Sequence, residues 1–197
     1  SSGTLVYCGY VGGSDVDEGK SIAVDASGNA YLIGSTLSTE ASFPETVGPD
    51  LTQNGGQDAF VAKVNAAGTD LVYCGFLGGW NGEQGNGIAV DSAGSAYLAG
   101  QVSSSQADFP VIAGPDLTFG GLVDGFAAKL NPAGTKYVYC GYIGGSASDL
   151  GYAVALDGAG NAYIAGETQS TQADFPVKAG PDLTHNGDKD AFIARVS

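Results

Sequence analysis

Few residues in this chain carry reactive side chains, and most of them recur at one interval. Cys8, Cys74 and Cys140 are spaced 66 residues apart, and the single histidine is His185. Asp15, Asp17 and Glu18 crowd one connection after Gly12-Gly13. That oxygen-rich composition suits Ca²⁺, which takes six to eight oxygen ligands. The corresponding connections hold Glu83 and Asp149, so the cluster as a whole is not copied. The expectation is a solvated acidic loop, with Asp15, Asp17 and Glu18 the candidate ligands should Ca²⁺ bind. His185 aligns with Phe119 and Gln53 at a variable loop position. There is no nucleophile elbow, zinc-ligand spacing, phosphate loop or haem-attachment motif. A carboxylate pair working as acid and base, as in glycosidases, stays open, because separation is not a property of sequence. The reading is a protein without catalytic residues or a cofactor.

One cysteine per repeat, with an odd total, does not make a disulfide framework. The expected role is a small buried apolar residue, set between Val72 and Phe76 in the second case. A crosslink between subunits is the functional alternative. Trp80, Tyr10, Tyr142 and Tyr152 lie in or near connections, where rings could stack on sugars. Trp80 and Tyr152 are therefore the candidate ligand loop of a lectin-like alternative. Trp80 aligns with Ser14 and Ser146, so such a site is not repeated. Lys63, Lys129 and Arg195 recur with Asp58, Asp124 and Asp190, but alternation puts each pair on opposite faces, and they read as blade-edge charges.

The elements that position these residues follow from the repeat. Asp25, Asp91 and Asp157 share the 66-residue step, as do Phe43, Phe109 and Phe175, and the Gly48-Pro49-Asp50 segment and its two copies. A fixed period of this kind means one supersecondary unit copied and stacked. Each copy reads as four strands: 21–25, 29–34, 58–64 and 71–77 in the first. Asp25 and its copies are expected to hold the first turn by accepting from backbone N–H groups, and Asp50, Asp116 and Asp182 to do similar work. On the fourth strand Leu71, Tyr73 and Leu77 are expected on one face, and Val72, Cys74 and Phe76 on the other. A sheet apolar on both faces must be covered on both. Four-stranded propeller blades meet that need, with a β-solenoid the alternative. The fold class is all-β.

Composition agrees. The 197 residues include 33 glycines and only 14% charged residues, with a net charge of −14. That charge disfavours nucleic acid or an anionic membrane surface as partner. No apolar run approaches membrane-spanning length. The absence of methionine is expected of a processed, exported chain or a trimmed one.

Ile22-Ala23-Val24-Asp25 with Gly28-Asn29-Ala30-Tyr31, then Asp58-Ala59-Phe60-Val61-Ala62-Lys63, Leu71-Val72-Tyr73 and Leu77-Gly78-Gly79, resemble the SBBP β-propeller repeat. The resemblance runs three times over essentially the whole chain. It implies an exported or surface protein of a microbe. The Gly-Pro-Asp-Leu-Thr loop departs from the usual linker, and three blades are fewer than the family's larger rings.

In repeat register Ser197 falls opposite Asn65 and Ser1 opposite Ala67, so the chain is cut inside the turn between third and fourth strands. Residues 1–13 hold an orphan fourth strand over 4–11; blades follow at 14–79, 80–145 and 146–197, the last ending in a third strand over 189–196. Exposed sheet edges invite pairing with another chain. The expectation is a homo-oligomer, either a closed six-bladed dimer or a filament, joined through Leu5, Val6, Tyr7, Cys8 and Tyr10 of one copy and Ala191, Phe192, Ile193 and Arg195 of the next. The functional expectation is an extracellular or cell-surface scaffold, with glycan binding as the alternative and a glycan-active enzyme as a second.

Overall fold

The computed structural model describes residues 3–197; the register assigned to Ser1 lies outside them. All regular structure among the described residues is β. The first blade is an antiparallel meander of β1 (Asp17–Val24), β2 (Ala30–Thr36), β3 (Asp58–Val64) and β4 (Leu71–Leu77). The second repeats it with β5 (Glu83–Val90), β6 (Ala96–Val102), β7 (Asp124–Leu130) and β8 (Tyr137–Ile143). The third has three strands, β9 (Asp149–Leu156), β10 (Ala162–Thr168) and β11 (Asp190–Val196). The sheets pack as successive propeller blades and do not close into a ring. In blades 1 and 2 the third and fourth strands lie where expected, whereas β1 starts before residue 21 and β2 runs past residue 34.

Local chemistry explains the turns. Asp25 Oδ1 accepts from the backbone N–H groups of Ser27 and Asn29, each at 2.9 Å, and Gly28 closes the turn at φ +84°. Asp91 and Asp157 repeat the arrangement. Asp50, Asp116 and Asp182 accept from Thr52, Thr118 and Thr184 in the same way. These are the expected Asx turns.

Face assignment on the fourth strand differs from simple alternation. A bulge opposite Lys63 and Val64 leaves Val72 without a partner, and Val72 turns outward. Leu71 thereby joins the face of Cys74 and Phe76 instead of that of Tyr73 and Leu77. One extra residue in a strand moves everything beyond it to the other face.

The core is built between blades. Tyr31, Ile33, Ala59, Val61, Tyr73 and Leu77 of blade 1 pack with Leu98, Phe126 and Ala128 of blade 2. Tyr97, Ala99, Ala127 and Ile143 of blade 2 pack with Ile164, Phe192 and Ala194 of blade 3. Tyr31 Oη reaches the Gly94 carbonyl across the first junction at 3.4 Å, and Tyr97 Oη the Gly160 carbonyl across the second at 3.1 Å. Packing within a blade is equally close: a Cβ at Gly100 on β6 would meet the Gln84 carbonyl of β5 and the Phe126 ring of β7. Gly100→Ala is expected to lower the melting temperature by about 5 °C or more, because overpacking a filled core costs about 1–3 kcal/mol. Gly158→Ala, where nothing lies within 4 Å, is the control expected to leave it unchanged.

Candidate functional site

The strongest irregularity in the repeat is the outer edge of blade 3. In blades 1 and 2 the fourth strand lies between the third strand and the Gly-Pro-Asp loop. The Cys74 and Phe76 N–H groups donate to Val47 and Asp50 carbonyls at 3.0 Å, and those of Cys140 and Tyr142 to Ile112 and Asp116 at 2.7 and 2.8 Å. Gly48 and Gly114 let the loop backbone lie directly on Gly75 and Gly141. In blade 3 the same two walls, β11 and the 177–182 loop, border an open groove of about 670 Å³, lined by Phe175, Val177, Asp182, His185, Phe192 and Ala194.

An aromatic cluster shows what the groove lacks. Phe43 packs on Phe60 and Phe76 with ring centroids at 5.2 and 5.1 Å, and Phe109 on Phe126 and Tyr142 at 5.8 and 5.5 Å. In blade 3 Phe175 meets Phe192 at 5.2 Å, and the third ring belongs to the repeat position of Tyr10. Phe119 rests on Tyr142 at 5.7 Å; its counterpart His185 holds the same place in blade 3, with Nε2 3.3 Å from the Thr168 carbonyl. His185 is therefore a half-buried wall of the groove rather than a fully exposed loop residue.

The predicted fourth strand over residues 4–11 carries no ladder among the described residues, and Leu5, Val6 and Tyr10 are exposed. A strand needs an edge to pair with, and the third strand that this segment matches stands at the far end of the chain. The segment nevertheless sits in repeat register: a Cβ at Gly68 would meet the Tyr7 ring, as one at Gly134 would meet Tyr73. On the acceptor side Ala191, Ile193 and Arg195 are exposed, while Phe192 turns inward. Val6 holds the position of the outward bulge residues Val72 and Val138, which stay exposed in complete blades.

The carboxylates at positions that are acidic in all three repeats fall into three structural sets. In the turn set, Asp25 also accepts from the Asn29 and Tyr31 side chains, and these bonds hold its acid at about 2. Lys63 Nζ stands 3.8 Å from Asp25 and 4.7 Å from the Tyr31 ring centroid, and Lys129 repeats this with Asp91 and Tyr97. Arg195 stands over Tyr163. Lys63 and Lys129 are thus packed cations over tyrosine faces and not the expected blade-edge charges.

The second set is Asp17, Glu83 and Asp149, one repeat position at which each carboxylate accepts from the glycine N–H four residues earlier, at 2.7 Å. Serines from the neighbouring loop complete the site, Ser38 on Asp17, Ser104 on Glu83 and Ser170 on Asp149. This corrects the candidate metal trio. Asp15 Oδ1 accepts from the Val16 N–H, Asp17 is bound to its loop, and Glu18 pairs with Lys20 at 2.6 Å. The three side chains serve separate partners, and no group of three or more metal-ligating side chains occurs among the described residues.

The third set is Asp58, Asp124 and Asp190, whose Oδ2 atoms accept from the N–H groups of Asn54, Gly120 and Asn186. Asp58 and Asp124 are fully buried and lie beside Glu83 and Asp149 of the following blade. Burial, with the neighbouring negative charge added, pushes both acids up to about 7. Glu83 is raised as well, chiefly by burial. Oδ1 of Asp58, Asp124 and Asp149 has no hydrogen-bond partner among the described residues.

Cys74 and Cys140 are buried as expected, and burial pushes the Cys74 thiol up to about 12. Cys8 is an exposed free thiol, because its copy of the strand is not enclosed. Trp80 is exposed, and its backbone N–H donates to Asp108. Tyr152, partly exposed, is the bulge residue of β9 and faces Glu167. No ring contact joins Trp80 and Tyr152 among the described residues.

Two stretches, residues 7–40 and 139–176, match the family model for the SBBP beta-propeller repeat. They begin two repeats apart, in the same phase of the blade, so the match falls on the same part of the repeat both times. No curated protein matches the chain.

The junction acids make stability depend on pH. Their raised values mean that the stability of the neutral form is present in acid and declines as pH rises from the ordinary carboxylate range through about 7. Asp124→Asn keeps an acceptor for the Gly120 N–H and removes the charge. At pH 8 it is expected to melt about 3 °C or more above the parent, and at pH 4 to coincide with it. An equal offset at both values would contradict this assignment.

Proposed function

We propose that this chain is a non-enzymatic structural protein of the cell surface or extracellular space that assembles with copies of itself by strand donation. Residues 5–11 of one copy enter the groove of blade 3 in the next and complete its sheet. One observation carries the reading: the groove has the walls that enclose β4 and β8, and the exposed segment holds the matching repeat positions. Strand addition to an open sheet edge takes affinity from main-chain hydrogen bonds and specificity from side-chain pockets.

The ladders of complete blades supply the register. Phe60 pairs with Phe76, Ala62 with Cys74 and Lys63 with Tyr73. The donated strand accordingly sets Tyr10 opposite Phe192, Cys8 opposite Ala194 and Tyr7 opposite Arg195. Tyr10 becomes the third ring of the Phe175–Phe192 cluster, and its N–H meets the Asp182 carbonyl. Donor segment and acceptor groove are different surfaces, so the contact is heterologous and gives either a closed ring or an open filament. A location outside the cell rests on what SBBP repeats imply and on the acidic composition.

Ala194→Cys tests the register directly. Opposed residues of an antiparallel pair bring their Cβ atoms to about 4.5–5.5 Å, close enough for a disulfide with modest adjustment. Oxidation is expected to link Cys8 of one copy to the new cysteine of the next, giving covalent dimers or a ladder on a non-reducing gel. Cys8→Ser in the same background abolishes them. Negative-stain microscopy and light scattering of the parent then distinguish rings from fibres. A chain that remains monomeric and uncrosslinked at high concentration would refute strand donation.

A further inference from the structure

The open faces of the terminal blades are the two halves of a junction already present twice inside the chain. Ile88 of blade 2 is 6% exposed, whereas its counterpart Ile22 on the free face of blade 1 is 65% exposed. Val61 of blade 1 is 1% exposed, and its counterpart Ile193 on the free face of blade 3 is 70% exposed. The Tyr31–Gly94 and Tyr97–Gly160 contacts leave Tyr163 and Gly28 as the next such pair in register. Each closed junction also buries two carboxyl groups, Asp58 with Glu83 and Asp124 with Asp149. The third pair in the series is Asp190 and Asp17, and in the single chain both remain partly exposed at opposite ends.

Resting on the strand-donation reading, we propose that closure between copies buries Asp190 of one copy against Asp17 of the next and takes up a proton, so that mild acid drives assembly. The geometry requires it. Two carboxylates brought together away from water cannot both stay charged at ordinary cost. At both closed junctions the counterparts of Asp190, Asp58 and Asp124, bury an Oδ1 that has no hydrogen-bond partner among the described residues, a place where a charged oxygen is costly.

Among the described residues no cation acts on Asp58 or Asp124 in the closed examples. The groups acting on Asp58 are Glu83 and Asp50, with Tyr137 nearby; those acting on Asp124 are Asp149 and Asp116, with Tyr142 nearby. At the joint between copies the counterparts are Asp190 and Asp182 of one chain with Asp17 and Tyr10 of the next. His185 lines the same groove, Asp188 and Lys189 precede Asp190, and Asp15, Glu18 and Lys20 flank Asp17. Lys189 is held by Glu167 and Lys20 by Glu18.

The experiment measures assembly of the full chain by light scattering between pH 5 and 7.5 at one ionic strength, for the parent, Asp190→Asn and Asp15→Asn. Uptake of one proton per joint weakens the parent's association by up to about tenfold per pH unit between the ordinary carboxylate range and neutrality. Asp190→Asn, a neutral isostere that still accepts from the Asn186 N–H, is expected to assemble at pH 7.5 as strongly as the parent does at pH 5. Asp15→Asn removes the same charge from an exposed site and keeps the parent's pH response. Parent assembly independent of pH, or an unchanged pH response in Asp190→Asn, overturns the proposal while leaving strand donation intact. Assembly of the parent at pH 7.5 restored by Ca²⁺ alone overturns it in favour of a bound cation. Absence of assembly at every pH, together with absence of the Cys8–Ala194→Cys crosslink, instead defeats strand donation itself.

Discussion

Burial of one blade against the next is the constraint on which the rest of this molecule depends. Each sheet is apolar on both faces and needs cover on both, and among the described residues blade 2 is the one enclosed on both sides. The same requirement shapes the details. Glycines such as Gly87 admit the backbone of the neighbouring blade at Ala153 and Val154, tyrosine hydroxyls cross the junctions, and loops fold back so that Phe43 and Phe109 cover the outer strand. Terminal faces lacking this cover carry Ile22 and Ile193, apolar side chains that the repeat places at a junction.

Polar groups are organised around that packing. Carboxylates at the turns accept from backbone N–H groups and from the tyrosine that crosses to the next blade, and a lysine covers the tyrosine ring. Carboxylates at the junction anchor the Gly-Gly connections that carry the chain from one blade to the next. Burial of Asp58, Asp124 and Glu83 at the junctions opposes their ionisation, whereas hydrogen bonds to Asp25 in the turn set favour it. One net-acidic chain therefore holds two classes of acid with opposite responses to pH, separated by burial and hydrogen bonding.

Much of this architecture was legible in the linear order of residues. The 66-residue period located the blades, and Asp-X-X-Gly turns located the first hairpin of each. Third and fourth strands fell at 58–64 and 71–77 because their apolar runs are short and bounded by turn residues. The aromatic cluster was present as a signal, since Phe43, Phe60 and Phe76 all occupy repeated positions, yet their separation along the chain concealed that they meet. Asp17, Glu83 and Asp149 were likewise visible as one repeat position, but Asp15 and Glu18 beside Asp17 suggested a metal loop. Lys63 was misassigned for a related reason: alternation tells which face a side chain leaves from, not what lies over it.

Sequence by itself determined the unit, its number of copies and the phase in which the described chain starts and stops, because local hydrogen bonding and period-two alternation act between near neighbours. Tertiary structure decided which acids are buried, which face Leu71 occupies and which edge is left open. Those outcomes depend on a single bulge and on contacts between residues about a whole repeat apart. The local pattern is the same in all three copies; what surrounds each copy is not.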